Sequence, residues 1–417
     1  MGPAVDSTRS QLEQTKLPSS QPHNSKDLGS AYFEHASEQH RSRLRIAGVA
    51  VALAVLATGF AALVVGEPGG PHQRGRSARG HQNAKVAQTA PTQRGARHLP
   101  SRVPPGYGLT AGVGVGVYAG AGNVAGAHAF QDYLGFPVRY AMDFLSNASW
   151  STIADPAWTL AKWAGSGFQR IWGVPMLPAS GATLALGATG AYDSYFNELA
   201  KLLVQHGQQD AILVLGWDAD LPGLPWSATT PAGAAQYVTY WRDIVTSMRA
   251  VPGAHFRFEW DAAQTSTAIS PESIYPGNAY VDIIATDVLQ QELTAPSPPS
   301  GTANAAGTTT TAAERWAELL NVDYGLTWFA EFASTNRKPL AIAKWGLAPQ
   351  GDGPGGNDDP YFVQHLLKWM TAHAVKYGVV WDYGSWSITS GAFPLSAAAL
   401  RNTLRSLANA APTPPAA

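Results

Sequence analysis

From Val113 onward the chain alternates short apolar runs with longer segments in which apolar residues recur at three- and four-residue spacing. The runs are Val113–Tyr118, Val138–Phe144, Phe168–Val174, Ile212–Trp217, Phe256–Trp260, Ile283–Val288, Leu340–Trp345 and Val379–Tyr383, and each predicts a strand. Between them Tyr192–His206, Gln236–Ala250, Trp328–Thr335, Tyr361–His373 and Ser396–Leu407 carry helical periodicity. Asp358 and Asp359 before Pro360 supply a helix N-cap followed by proline at the first helical position. Strands and helices in strict alternation over residues 106–410 predict an α/β fold, a (β/α)8 TIM barrel with loop insertions. One insertion, Thr294–Thr311, is built of Pro, Ser, Thr, Gly and Ala and reads as a flexible spacer after the sixth strand.

The N-terminal part follows a different pattern. Ile46–Val65 holds no charge and is long enough to cross a hydrocarbon core of about 30 Å, so residues 45–66 predict one transmembrane signal-anchor helix. A cleaved secretory signal is the alternative, but the long segment ahead of the apolar run exceeds a signal n-region. Arg41, Arg43 and Arg45 on one flank against Glu67 on the other orient the N-terminus inward and the barrel outside the cell. Residues 1–44 and 67–105 are too polar, or too rich in Gly and Pro, to offset their ordering entropy, and they predict a disordered cytoplasmic tail and a disordered tether. Residues 411–417 predict a disordered end.

Composition narrows the ligand. A net charge of -1 over 417 residues, with 14% charged residues, excludes a polyelectrolyte partner such as nucleic acid. The absence of cysteine excludes disulfides, a zinc–thiolate site and a thiol nucleophile. No His-x-x-x-His pair or clustered His/Asp/Glu motif predicts a metal. Gly114-Val115-Gly116-Val117-Tyr118-Ala119 has the spacing of a dinucleotide fingerprint, but its glycines lie inside the apolar run and do not open a helix, so no nucleotide cofactor is expected.

The predicted strand ends carry the chemistry. Tyr118, Trp172, Trp217, Trp260, Trp345 and Trp381 fall at or near C-terminal strand ends, the active-site face of a barrel. Asp143, Asp218, Asp220, Glu259, Asp261, Asp287 and Asp382 occupy the same positions. Aromatic faces stack on the axial C–H surface of sugars while carboxylates accept from hydroxyls, so the set predicts a polysaccharide cleft.

Particular motifs add a resemblance. Ala343-Lys344-Trp345-Gly346-Leu347 at the end of the seventh strand resembles the nucleophile strand of glycoside hydrolase family 26, the β-mannanase-type retaining enzymes. Tyr118-Ala119-Gly120-Ala121-Gly122-Asn123, Val174-Pro175-Met176-Leu177-Pro178, Arg249–Phe258 and Asp358-Asp359-Pro360-Tyr361-Phe362 extend the resemblance over the domain. It implies a (β/α)8 glycosidase, an acid/base at the end of the fourth strand in a Gly-Trp-Glu motif and a nucleophile at the end of the seventh in Glu-Trp-Gly. Here the fourth strand has Gly216-Trp217-Asp218 and the seventh Lys344-Trp345-Gly346.

A protonated lysine has no lone pair with which to attack an anomeric carbon. Asp218 is one methylene shorter than glutamate, about 1 Å, a displacement that costs about 10²-fold. The pair predicts a catalytically degenerate, polysaccharide-binding domain in which Lys344 either joins an internal ion pair, with Asp218 as the expected partner, or contacts an anionic sugar. Two alternatives stay open: a hydrolase whose carboxylates have moved, drawn from Glu259, Asp261, Asp287 and Asp382 beside Asp218 or Asp220, and a structural barrel with no glycan ligand.

Overall fold

The computed structural model describes residues 113–264, 268–290, 311–349 and 357–409. All eight apolar runs form strands: β1 Gly114–Tyr118, β2 Tyr140–Phe144, β3 Gln169–Val174, β4 Ile212–Leu215, β5 Arg257–Ala262, β6 Ile283–Gln290, β7 Leu340–Leu347 and β8 Tyr377–Trp381. They pair in parallel in chain order, and β8 returns to β1 to close the barrel. The (β/α)8 architecture is therefore the one the alternation predicts. Gly114 and Gly116 sit inside β1, and the helix after it starts only at Val124, capped by the Asn123 side chain. The fingerprint spacing is thus strand sequence.

Ten helices among the described residues surround the strands: α1 Val124–Leu134, α2 Trp150–Ala154, α3 Ala157–Trp163, α4 Leu184–Gly187, α5 Asp193–Gln205, α6 Pro231–Arg249, α7 Ala312–Asn321, α8 Leu326–Thr335, α9 Pro360–Ala372 and α10 Pro394–Asn409. The proline-start signal works as read: Asp359 accepts from Phe362 N at 3.0 Å ahead of Pro360; Thr230 caps α6 ahead of Pro231 in the same way. Thr311, placed by composition in the spacer, instead forms a reciprocal capping box with Glu314 at the start of α7. No helix among the described residues is long and apolar enough to cross a membrane. The predicted span Ile46–Val65, both N-terminal flanks, residues 294–310 and the end beyond residue 409 lie outside the described residues.

Two features of the sheet shape its C-terminal end. Gly173 on β3 lacks a Cβ where the Phe144 ring lies, so the ring packs over the strand. The ladder between β6 and β7 shifts register at Thr286/Asp287, and that between β7 and β8 shifts between Ile342 and Trp345. Such irregularities re-aim side chains beside a site. These fall on the two strands that carry Asp287 and Lys344.

Candidate functional site

Lys344 is fully buried near the C-terminal end of β7, and its ammonium donates to Asp261 Oδ2 at 3.1 Å and pairs with Asp287 Oδ2 at 2.7 Å. Asp261 comes from β5 and Asp287 from β6, so three adjacent strands meet at one ion-pair cluster. Asp218 joins them: Asp218, Asp261 and Asp287 each place a carboxylate oxygen within 4.8 Å of the others. Asp218 follows β4 with a left-handed backbone at φ 50°, and its N–H donates to Asp261 O at 3.2 Å. That conformation is costly for a residue with a Cβ and persists where its surroundings impose it. The segment is held by Trp226 Nε1 donating to Trp217 O at 2.8 Å and by the Ala263 N–H donating to Asp220 Oδ1 at 3.2 Å. Asp218 was the expected ion partner of Lys344. The ammonium also contacts Asp261 and Asp287 of the fifth and sixth strands, and the charge of Asp218 acts on it as well.

Alternation along a strand sends neighbouring side chains to opposite faces, and it divides the predicted site residues in two. Tyr118 and Trp381 point inward, their centroids 4.2 Å apart, and Phe144 meets Tyr118 edge-on at 5.4 Å and Trp217 at 5.0 Å. The Lys344 ammonium lies 6.0 Å from the Phe144 centroid. Tyr383 packs on Tyr118 at 5.7 Å. Trp172, Trp260 and Trp345 face the helix layer instead. Trp172 Nε1 donates to Gln208 Oε1 at 2.6 Å, Trp260 packs on Tyr275 and Phe332, and Trp345 packs on Phe362 of α9.

The acids divide similarly. Asp143 lies under α3, accepting from Trp163 Nε1 at 2.7 Å and from the Gly122 N–H at 2.8 Å. Asp382 holds the loop after β8, accepting from the Ser387 and Thr389 hydroxyls and the Thr389 N–H. Glu259 shares the inward face of β5 with Asp261, fully buried, and neither of its carboxylate oxygens has a hydrogen-bond partner.

Tyr118, Trp217 and Trp381 are buried, whereas Phe144, Asp287, Leu289 and Tyr383 are only partly covered. The accessible part of the mouth is thus formed largely by residues that the strand-end reading passed over. The alternation Tyr140, Met142, Phe144 on β2 was the signal for Phe144, since it puts Asp143 and Phe144 on opposite faces.

Burial dominates the titration of this region. It pushes Asp218 up to about 7, with Lys344 opposing and Asp261 adding to the rise. It pushes Asp220 up to about 8, with the charge of Asp218 adding to the rise. Glu259 goes well above the usual carboxylate range for the same first reason. Burial alone would lower Lys344, but the charges of Asp261, Asp287 and Asp218 outweigh it and hold the ammonium protonated. Asp261, Asp287 and Lys344 therefore titrate as a unit.

A cation with carboxylates on two sides is an electrostatic cross-link between β5, β6 and β7. The sequence suggested no metal constellation, yet three carboxylates do converge here, and the lysine ammonium contacts two of them. The end of β7 thus carries a buried cation.

No protein-family model matches this chain, and no curated protein matches it in sequence. Among solved structures it is similar to a modular endo-β-1,4-mannanase from Cellulomonas fimi, described with the glycoside hydrolase family 26 mannanases. That likeness has a TM-score of 0.50 at 15% identity and covers 70% of this chain and 71% of the mannanase. A family 26 β-mannanase from Bacteroides ovatus gives a TM-score of 0.49 at 15% identity over 72% of this chain and 90% of its own. The mannanase BCman of Bacillus subtilis gives 0.48 at 14% over 70% and 85%. The resemblance to glycoside hydrolase family 26 read in the strand-end motifs is thus present in three dimensions, as a likeness of fold.

Proposed function

We propose that this glycosidase-like barrel binds a neutral polysaccharide at its C-terminal mouth without cleaving it. The observation that carries this reading is Lys344: at the nucleophile position of the seventh strand stands an ammonium neutralised by Asp261 and Asp287. The same ion pairs engage the two carboxylates nearest to hand for replacing the lost nucleophile. Phe144 and Tyr383 provide partly exposed rings for stacking, and Asp287, with 11% of its side chain exposed, is the most accessible carboxylate of the ion-pair cluster. Asp261 and Asp287 balance the ammonium of Lys344, so no cationic charge is left over at this mouth to attract a uronate. Mannan-type β-glycans are the first candidates, by analogy with the enzymes of similar fold. In the same reading the apolar stretch Ile46–Val65 anchors the chain, with the barrel outside the cell on residues 67–105.

Calorimetric titration of the full-length chain with soluble β-mannan, β-glucan, xylan and polygalacturonate tests the binding. Saturable heat with at least one neutral glycan and none with polygalacturonate is expected. Flat titrations across the panel contradict it and leave a structural barrel.

A second reading has a specific observation in its favour. Asp218 is pushed up to about 7, suited to a general acid, and another carboxylate stands within 4.8 Å, close to the roughly 5–5.5 Å of a retaining pair. An active hydrolase would use Asp218 as acid and Asp287 or Asp261 as nucleophile, but either nucleophile first has to leave the lysine.

A further inference from the structure

Trp158 is the tryptophan that this fold leaves in water. It stands in the first turn of α3, 61% exposed, whereas every other tryptophan of the chain is buried or half-buried. The helix buries Leu160 and Trp163 on its barrel side and turns Trp158 and Lys162 outward, and at i and i+4 these two share a face. The Lys162 ammonium lies 3.7 Å from the Trp158 ring centroid, a cation–π contact that holds the ring on the helix. Hiding an aromatic surface of this size would stabilise the fold, yet the described residues leave most of it uncovered. The other exposed large apolar residues, Tyr133, Leu186 and Leu395, each lie on a different helix, a scatter of single side chains and not the contiguous patch that docks a protein.

The seating of α3 puts this ring at the rim of the mouth. Its last residue, Trp163, donates to Asp143 Oδ2 at 2.7 Å, and the same oxygen accepts from the Gly122 N–H at 2.8 Å, so the helix and the loop between β1 and α1 are tied to one carboxylate. Lys162 lies on that loop: a Cβ at Gly122 would stand 3.0 Å from its Cδ and 3.1 Å from its Nζ. Two residues back, a Cβ at Gly120 would stand 2.8 Å from the ring of Tyr383, a partly covered aromatic of the mouth. Gly120 and Gly122 have φ of 104° and 62°, so the backbone conformation and the close approach both call for glycine. Tyr383, the glycine loop, Lys162 and Trp158 therefore follow one another from the mouth outward.

We infer that Trp158 is an outer stacking platform for the same polysaccharide, taking a sugar residue of a chain that runs from Phe144 and Tyr383 across the glycine loop. The inference rests on the mouth being a glycan site and adds a length requirement to it: an oligosaccharide that only fills the mouth misses the platform, and a polymer reaches it. The open indole surface takes the C–H face of a pyranose, and the Lys162 ammonium beside it donates to sugar hydroxyls. Gly120 and Gly122 raise no side chain between the two aromatic positions. Because Lys162 already holds the ring, stacking costs little further rotamer freedom.

The test is calorimetric titration of the full-length chain with soluble β-mannan, β-glucan and xylan, beside Trp158→Ala, Trp158→Tyr and Phe144→Ala. Trp158→Ala should raise Kd for the polymer that the parent chain binds about tenfold, with stoichiometry and melting temperature unchanged. Trp158→Tyr keeps an aromatic face and should recover most of that loss. Removing an exposed ring leaves folding intact, so the variant reports on binding alone. Polymer binding that weakens in Phe144→Ala and stays unchanged in Trp158→Ala overturns the platform and leaves the mouth site standing. A lowered stoichiometry at unchanged Kd also overturns it, placing Trp158 at a separate site. No binding of any polymer by the parent chain contradicts the mouth site itself, and the platform falls with it.

Discussion

Lys344 Nζ lies 2.7 Å from Asp287 Oδ2, joining the seventh strand to the sixth where the ladder between them shifts register. The bond determines what the barrel mouth can do. A retaining glycosidase needs one ionised carboxylate free to attack and one protonated carboxyl to release the leaving group. Here the seventh strand contributes a cation, and the carboxylates of β5 and β6 are spent in balancing it. Asp218 stands beside this cluster after the fourth strand, pushed up to about 7, mainly by burial.

Removing the cation should expose the cost of burying its partners. Lys344→Met keeps the length of the side chain and leaves Asp261 and Asp287 without their counter-charge, a loss of about 3–5 kcal/mol. Urea denaturation at pH 8 measures it. At pH 5 the stranded carboxylates take up protons, so the difference from the parent chain should shrink.

Stability should fall as pH rises from about 4 to 8. Asp218 and Asp220 are raised by burial to about 7 and about 8, so between their unfolded values and these the native state binds more protons than the unfolded one. The linkage slope is then negative across that window. Asp220→Asn removes one such group and should flatten the upper part of the curve, as thermal melts at half-unit pH steps will show. Above pH 10 the raised Lys344 gives the same sign, its contribution lost as the ammonium deprotonates.

Aromatic residues at the mouth and behind the strands should separate by phenotype. Phe144→Ala and Tyr383→Ala should weaken glycan binding about tenfold each, equivalent to about 1.4 kcal/mol. Trp345→Ala leaves the mouth intact but opens a cavity against Phe362, at a cost of about 3–5 kcal/mol in stability. Paired titration and denaturation of the three variants distinguishes the roles.

The fold was legible because eight apolar runs alternate with amphipathic segments, a pattern that survives errors of up to two residues in strand ends. The site was only half legible, since a strand end read in one dimension does not say which side chain faces the lumen. Lys344 and Trp345 are neighbours and cannot share a face; nor can Glu259 and Trp260, or Asp143 and Phe144. Applying that alternation to β2 would have selected Phe144 over Asp143. The partners of Lys344 were harder to see, because the pairing with Asp261 spans 83 residues and depends on the shifted ladder beside Asp287. Tyr383 lies just past the end of β8, where loop geometry sets the direction of the ring.

The most direct test of the account is release of reducing ends by the full-length chain on β-mannan, β-glucan and xylan, with Asp218→Ala beside it. The account predicts no release by either protein above the rate without protein. Turnover by the parent chain that disappears in Asp218→Ala would contradict it, placing a working nucleophile among the carboxylates that Lys344 is held to neutralise.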